Sequence, residues 1–392
     1  MIHKIRILGF KSLYDVTVEL EPVTVLVGRS GTGKSAFVQS LRFLRNFLLN
    51  EKAAPEIEGG WKHLISVDEN PSELAFEVEF GVGDSLKYRY DLRFAQYRRG
   101  EVTADSERLA IDDDEIFHRA RVEGRGWQWV TTPNVVNPPP PGKGLALARL
   151  PNLESAVQAY TALSSGIGYY SFPTSIWGPL KGGASNPQQA INNVLAGLRD
   201  DGSNYLKVMR DIAQNLHQPQ VRRAIAASLA KINETVVSVE LDSITEPKTA
   251  TVGHRANDKV LALDLSQESD GFRRFYAHLL AIYQLPPKLV NVFEEPENGI
   301  YPGALALLAD EFETAPDANR GQIILTTHSP NLLDQFNVEC LRVVELWNGR
   351  TIIGKVAPEQ RNGVHDNLIS TGELLTVDPA RAASSADSQG AR

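Results

Sequence analysis

The chain has 392 residues, 42% hydrophobic and 22% charged, which is enough to bury a sizeable core. A net charge of -8 excludes a generic polyanion binder but leaves room for a local basic patch. Its one cysteine, Cys340, excludes an internal disulfide, and no apolar run is long enough to span a bilayer. Together these point to a reducing cytoplasm and away from membranes.

The opening, MIHKIRILGF, lacks the charged flank, apolar centre and cleavage site of a signal peptide and reads as a first strand. Residues 5–7, 16–20 and 23–27 are rich in β-branched side chains and read as strands. A glycine-rich break over 28–35 follows. Phe37, Leu41, Leu44 and Leu48 then recur at helical spacing over 36–49. Residues 73–129 alternate apolar and polar side chains between glycines and predict a meander of strands.

Four consecutive prolines within 137–144 predict an extended linker. Segments 153–163 and 188–231 predict a helical insertion, broken around 200–203 and at Pro219. Strands are expected again over 236–241, 260–265, 289–293 and 323–326, and the small, polar tail from Ala380 is expected to be disordered. The expected division is an N-terminal lobe (1–136), a linker and helical insertion (137–235), a C-terminal lobe (236–379) and a tail (380–392), in an α/β fold with an antiparallel β lobe.

Residues 28–35 read G-R-S-G-T-G-K-S, which satisfies the phosphate-binding pattern G-x-x-x-x-G-K-[ST]. Such glycines let successive backbone N–H groups curl around a β-phosphate. Lys34 is placed to reach the β- and γ-phosphates and Ser35 to ligate Mg²⁺, and the following helix points its positive end at the anion. A chance glycine turn is the bland alternative. The hydrophobic strand before the loop and the amphipathic helix after it argue against that alternative. Arg29 is outside the motif and reads as a surface side chain.

Leu289 to Phe293, LVNVF, is a short apolar run suited to a buried parallel strand, and Glu294 and Glu295 follow it. Ligands bind at the carboxyl ends of strands in open α/β sheets. Glu294 is therefore assigned to the Mg²⁺ shell, where Asp is commoner, and Glu295 to orienting or deprotonating the attacking water. The alternative is a solvated acidic turn before Pro296. Glu297 either touches the metal or caps the helix that follows. His328 closes the 323–326 strand, placed either to touch a γ-phosphate or to serve as a structural hydrogen bonder. Ser269 and Gly271 stand at the start of a helix running to Tyr283, which makes either an anion site or a simple N-cap at Ser269 or Asp270.

The order of these motifs, carried by IRILGFKSLYDVTVELEPVTVLVGRSGTGKS, SQESDGFRRFYAHLLAIY, FEEPENGIYP and ILTTHSPNLLD, resembles AAA-type ATPases with an ABC-like fold, near the OLD, RecF and chromosome-maintenance (SMC) families. The resemblance implies ATP and Mg²⁺ as cofactors, with nucleotide held by Gly28, Ser30, Gly31, Thr32, Gly33, Lys34, Ser35 and Ala36. It implies a metal site at Ser35 and Glu294, with Glu295 and His328 catalytic. Ser269 and Gly271 then correspond to a signature that meets the γ-phosphate of an opposing subunit in an ATP-dependent homodimer. Asn298 and Gly299 fall in the D-loop region, and Phe10, Lys11 and Ser12 near the nucleotide. Gln96 is a candidate Q-loop glutamine, and the signature reads Ser-Asp-Gly in place of Ser-Gly-Gly.

The interval from Lys34 to Glu294 lacks sustained heptads, which excludes long coiled-coil arms, and the C-terminal region leaves no room for a nuclease domain. Two functions remain. One is a stand-alone ATPase in DNA repair or phage defence. The other is an ATP-sensing subunit that restrains an effector from a neighbouring gene. Arg98–Arg99, Arg222–Arg223 and Arg273–Arg274 are possible DNA contacts or merely a solvated face.

Overall fold

The computed structural model describes residues 1–66, 73–83, 86–96, 102–142, 144–173, 177, 187–215 and 219–383, without the side chain of Gln96. In chain order the strands are β1 (Ile2–Phe10), β2 (Leu13–Glu19), β3 (Val23–Val27), β4 (Leu74–Val82), β5 (Leu86–Gln96), β6 (Val102–Ile111), β7 (Asp114–Val122) and β8 (Gly126–Thr131). They continue as β9 (Ile167–Tyr170), β10 (Val236–Leu241), β11 (Ala250–Ala256), β12 (Lys259–Asp264), β13 (Val290–Glu294), β14 (Gln322–Thr326), β15 (Leu341–Trp347) and β16 (Arg350–Gly354).

Among the described residues these strands form three sheets, ordered β2-β1-β4-β5-β6-β7-β8, β10-β11-β12 and β16-β15-β3-β14-β13-β9. The first is antiparallel throughout, as the alternating pattern of 73–129 predicts. The third pairs β9, β13, β14, β3 and β15 in parallel and closes with antiparallel β16. It therefore joins the 23–27 strand to strands from the far end of the sequence. The sheets do not follow the sequence segments.

Parallel strands covered on both faces must be apolar on both faces. In β3 the side chains of Val23, Val25 and Val27 enter one core and Leu26 the other. In β14, Ile324 faces one core while Ile323 and Leu325 face the other. The Lys34–Leu49 helix fills the first core, between the parallel and antiparallel sheets, with Phe43 stacked on Phe76 at 5.9 Å between centroids. The Asp270–Tyr283 and Leu305–Thr314 helices fill the second core. Gln322 ties the two sheets together: its side chain accepts from Ile2 N (2.9 Å) and donates to Ile2 O and Glu21 O (2.8 Å each).

Several expectations need correction. The segment 137–235 is not a linker followed only by helices, because β9 lies within it and pairs with β13 in the parallel sheet. The Glu154–Leu163 helix also belongs to the first core. The proline run is strapped to the antiparallel sheet. Trp129 Nε1 donates to Pro139 O at 3.1 Å, and Arg119 donates to Gly142 O. The tail expected to be disordered from 380 is ordered through Ala383: Ala382 bridges Val356, and Ala383 N donates to Lys355 O at 2.8 Å.

Candidate active site

Strand order assembles the site. β14 lies between β3 and β13, so the ends of β3, β14 and β13 are neighbours. The glycine-rich loop of 28–35 leaves β3, His328 follows β14, Glu294 ends β13 and Glu295 follows it. Residues far apart in the chain thus share one edge, at the carboxyl ends of parallel strands.

Gly28 and Gly33 in the loop are forced by space as well as by backbone. Gly28 has φ 155°, and a Cβ there would stand 2.1 Å from Val344 O. Gly33 has φ 109°, and a Cβ there would stand 2.2 Å from Thr351 Oγ1. Thr351 supports the loop from behind: its hydroxyl donates to Thr32 O at 2.9 Å and can accept from the Ser12 hydroxyl, 2.7 Å away. Lys34 is 5% exposed, and its ammonium donates to Gly28 O (2.7 Å) and Arg29 O (2.9 Å). Burial lowers its pKa to about 8, against the opposing pull of Glu295 and Glu297.

At the end of β13 the backbone turns sharply. Glu295 takes φ 47°, an uncommon conformation for a side chain of this kind, and its N–H donates to Thr326 Oγ1 at 3.1 Å. Glu295 Oε2 accepts from Asn298 Nδ2 at 2.8 Å, and Oε1 lies 3.6 Å from His328 Nε2. Tyr169, on β9, donates its hydroxyl to Glu294 Oε2. Glu297 does not cap the following helix. Its Oε1 accepts from Thr327 Oγ1 and from His328 N, both at 2.8 Å, and so holds the histidine's turn.

Ser269 caps the Asp270–Tyr283 helix, its hydroxyl accepting from Phe272 N at 3.2 Å, and both Ser269 and Asp270 are exposed. Gly271 is needed for packing, since a Cβ there would stand 2.9 Å from Gly299 O. The helix start at Gly271 and the turn at Gly299, expected from the resemblance to be a signature and a D-loop region, are thus in direct contact. Inside this helix His278 is buried against Phe172 and Phe293, and burial, with Arg274 nearby, lowers its pKa to about 3.

Other expected residues lie elsewhere. Phe10 is fully buried in the first core, against Phe43, so its ring cannot meet a nucleotide. Lys11 is engaged with Gln39 and Glu58. Gln96 ends a strand of the antiparallel sheet, while β9 is the strand beside β13. Arg273 and Arg274 are buried, 8% and 3% exposed, and bond Asp270 and Pro173 O, so they are not a solvated or DNA-facing pair. Arg222 and Arg223 are exposed, and Arg98 and Arg99 lie outside the described residues.

The family model described as "AAA domain, putative AbiEii toxin, Type IV TA system" matches residues 23–334. The chain belongs to this family of AAA-domain ATPases. Its fold is that of a chromosome-maintenance ATPase head. It is similar to the "SmcHead bound to the C-winged helix domain of ScpA", with TM-score 0.55 and 14% identity, covering 92% of this chain and 99% of that one. It is also similar to a Pyrococcus furiosus Smc head domain "with an extended coiled coil bound to the C-terminal domain of ScpA", with TM-score 0.53 and 13% identity, covering 94% and 99%. No curated protein matches. The expected fold class, α/β of the ABC-ATPase type, holds, and the matching family model names neither OLD nor RecF. Among the described residues no helix is long and apolar enough to cross a membrane.

Proposed function

We propose that the chain binds Mg²⁺-ATP at the shared edge of β3, β14 and β13 and hydrolyses it there. The supporting observation is the convergence of Lys34, Glu295 and His328: Lys34 is electrostatically coupled to Glu295, whose carboxylate lies 3.6 Å from the imidazole. In this reading the N–H groups of Gly31, Gly33, Lys34, Ser35 and Ala36 cradle the phosphates, beside Ser30 and Thr32. Lys34 exchanges two carbonyls for the β- and γ-phosphates. Glu295, steadied by Asn298, takes the proton of the attacking water, and His328 meets the γ-phosphate from the side.

Ser35 and Glu294 offer hard oxygen donors that fit Mg²⁺. Among the described residues no three or more His, Cys, Asp or Glu could hold a metal by themselves, which fits an ion coordinated mainly by phosphate and water. Bound there, the ion supplies polarisation of the phosphoryl oxygens.

Ser269 and Gly271 complete the site on a second copy, so that the ATPase works as a cytoplasmic, ATP-dependent homodimer in DNA repair or phage defence. The description of the matching family, which includes a toxin of a toxin–antitoxin system, favours a second reading. In that reading the same ATP switch controls a nuclease or toxin effector from a neighbouring gene. The first test is Lys34→Ala. The loop then loses its cation, and calorimetry in Mg²⁺-ATP should show binding abolished. Affinity equal to that of the unaltered protein would overturn the assignment.

A further inference from the structure

The carboxylate assigned to the metal has a partner that its own strand does not supply. Tyr169 is 1% exposed, on the edge strand β9, one position before the end of its pairing with β13. Its hydroxyl donates to Glu294 Oε2.

The ring itself is held. The Arg42 guanidinium lies 4.8 Å from its centroid. Arg42 is fixed in turn by Glu58, through Nη2 to Oε1 at 2.5 Å, and Lys11 Nζ reaches the other oxygen of Glu58 at 2.7 Å. Arg42 belongs to the helix that starts at Lys34. The helix behind the phosphate loop and the carboxylate at the end of β13 are therefore tied through one aromatic ring.

Glu294 stands where Asp is commoner, and the extra methylene adds a rotatable bond that a metal-bound carboxylate has to lose. We propose that Tyr169 is a positioning residue for Mg²⁺. It clamps Oε2 of the longer carboxylate so that Oε1 is presented to the ion's water shell. Outer partners of metal-bound carboxylates act in this way on other sites, and their loss costs about 10–100-fold in metal affinity.

This inference rests on the function proposed above, and its test separates the two. Tyr169→Phe keeps the ring and its cation contact and removes only the hydroxyl. ATP affinity is measured by calorimetry with Mg²⁺ and with excess EDTA, and Mn²⁺ affinity of the ATP complex by electron paramagnetic resonance. The expected result is an unchanged metal-free ATP affinity and an unchanged unfolding midpoint. The affinity for Mn²⁺, and the gain in ATP affinity that Mg²⁺ gives, should fall about tenfold. In a Glu294→Gln background the same change should add less than about twofold, because the clamped carboxylate is already gone.

Equal metal affinity in a folded Tyr169→Phe protein overturns the clamp and leaves the ATPase reading standing. An unaltered protein that binds no ATP overturns both. If Tyr169→Phe does not fold, fluorotyrosines at this position keep the ring and hydroxyl while raising its acidity. A metal affinity that follows the acidity supports the clamp, and a flat series overturns it.

Discussion

At the scale of single residues, the site spends its burial on one cation. Lys34 is stripped of water and held by two carbonyls that cannot neutralise it, which is why its pKa falls to about 8. A triphosphate raises that pKa again, so binding above pH 8 must take up a proton. The sign follows from linkage. ATP affinity should be flat below pH 8 and then fall by up to about tenfold per pH unit until the pKa of the complex is reached. Calorimetry in two buffers of different ionisation enthalpy would show the proton uptake directly. Glu295 is the other such residue. Its φ of 47° is held by Thr326 and its carboxylate by Asn298, so the side chain is aimed before substrate arrives. Glu295→Gln keeps the shape and the Asn298 contact but cannot accept a proton. Turnover should drop by about 10²–10⁴-fold with ATP still bound, as read by single-turnover phosphate release. Turnover at the normal rate would pass the role to Glu297 or His328.

At the scale of elements, what could be read depended on whether an element carries its own pattern. The phosphate loop, the strand before Glu294 and the strand before His328 each carry local signals, and each lies where the sequence places it. β9 was missed because Ile-Gly-Tyr-Tyr is four residues long, contains a glycine and sits between helical stretches. Only pairing with β13 makes it a strand. With it went Tyr169, for which the sequence held no signal beyond a short apolar run. The proline strap was half legible. Its extended form followed from composition, but its docking depends on a buried pair elsewhere. Arg119 and Glu107 are 1% and 0% exposed, 3.4 Å apart, and Glu107 also accepts from Tyr90 and from Ala146 N and Leu147 N. Burial raises the pKa of Glu107 even so. Arg119→Met should therefore cost about 3–5 kcal/mol in denaturant unfolding, because it leaves a carboxylate uncompensated. The loss should shrink at acid pH, where that carboxyl takes a proton.

At the scale of the whole molecule, the remaining question is what faces the exposed start of the signature helix. Within the chain, Gly271 is occupied by packing against Gly299 O, and the Ser269 hydroxyl caps its own helix, yet Ser269 and Asp270 remain open to solvent. The exposed start of this 14-residue helix is suited to an anion. In the families this chain resembles, the anion is the γ-phosphate on a neighbouring subunit. Two copies about a two-fold axis would bury two ATP molecules, each between one phosphate loop and one opposing signature. In that proposal ATP would join the copies and hydrolysis would release them, a switch whose states differ by phosphate contacts. Ser269→Arg should leave ATP binding within about twofold of normal while abolishing ATP-driven association, seen by light scattering in the Glu295→Gln background, and turnover in the active protein. Mixing Ser269→Arg with Lys34→Ala rebuilds one intact composite site per heterodimer. Some activity should return, although neither variant has any alone. A dimer held together independently of ATP would mask the change in mass but not the recovery. Silence in the mixture would mean that the signature serves its own chain or does not serve at all.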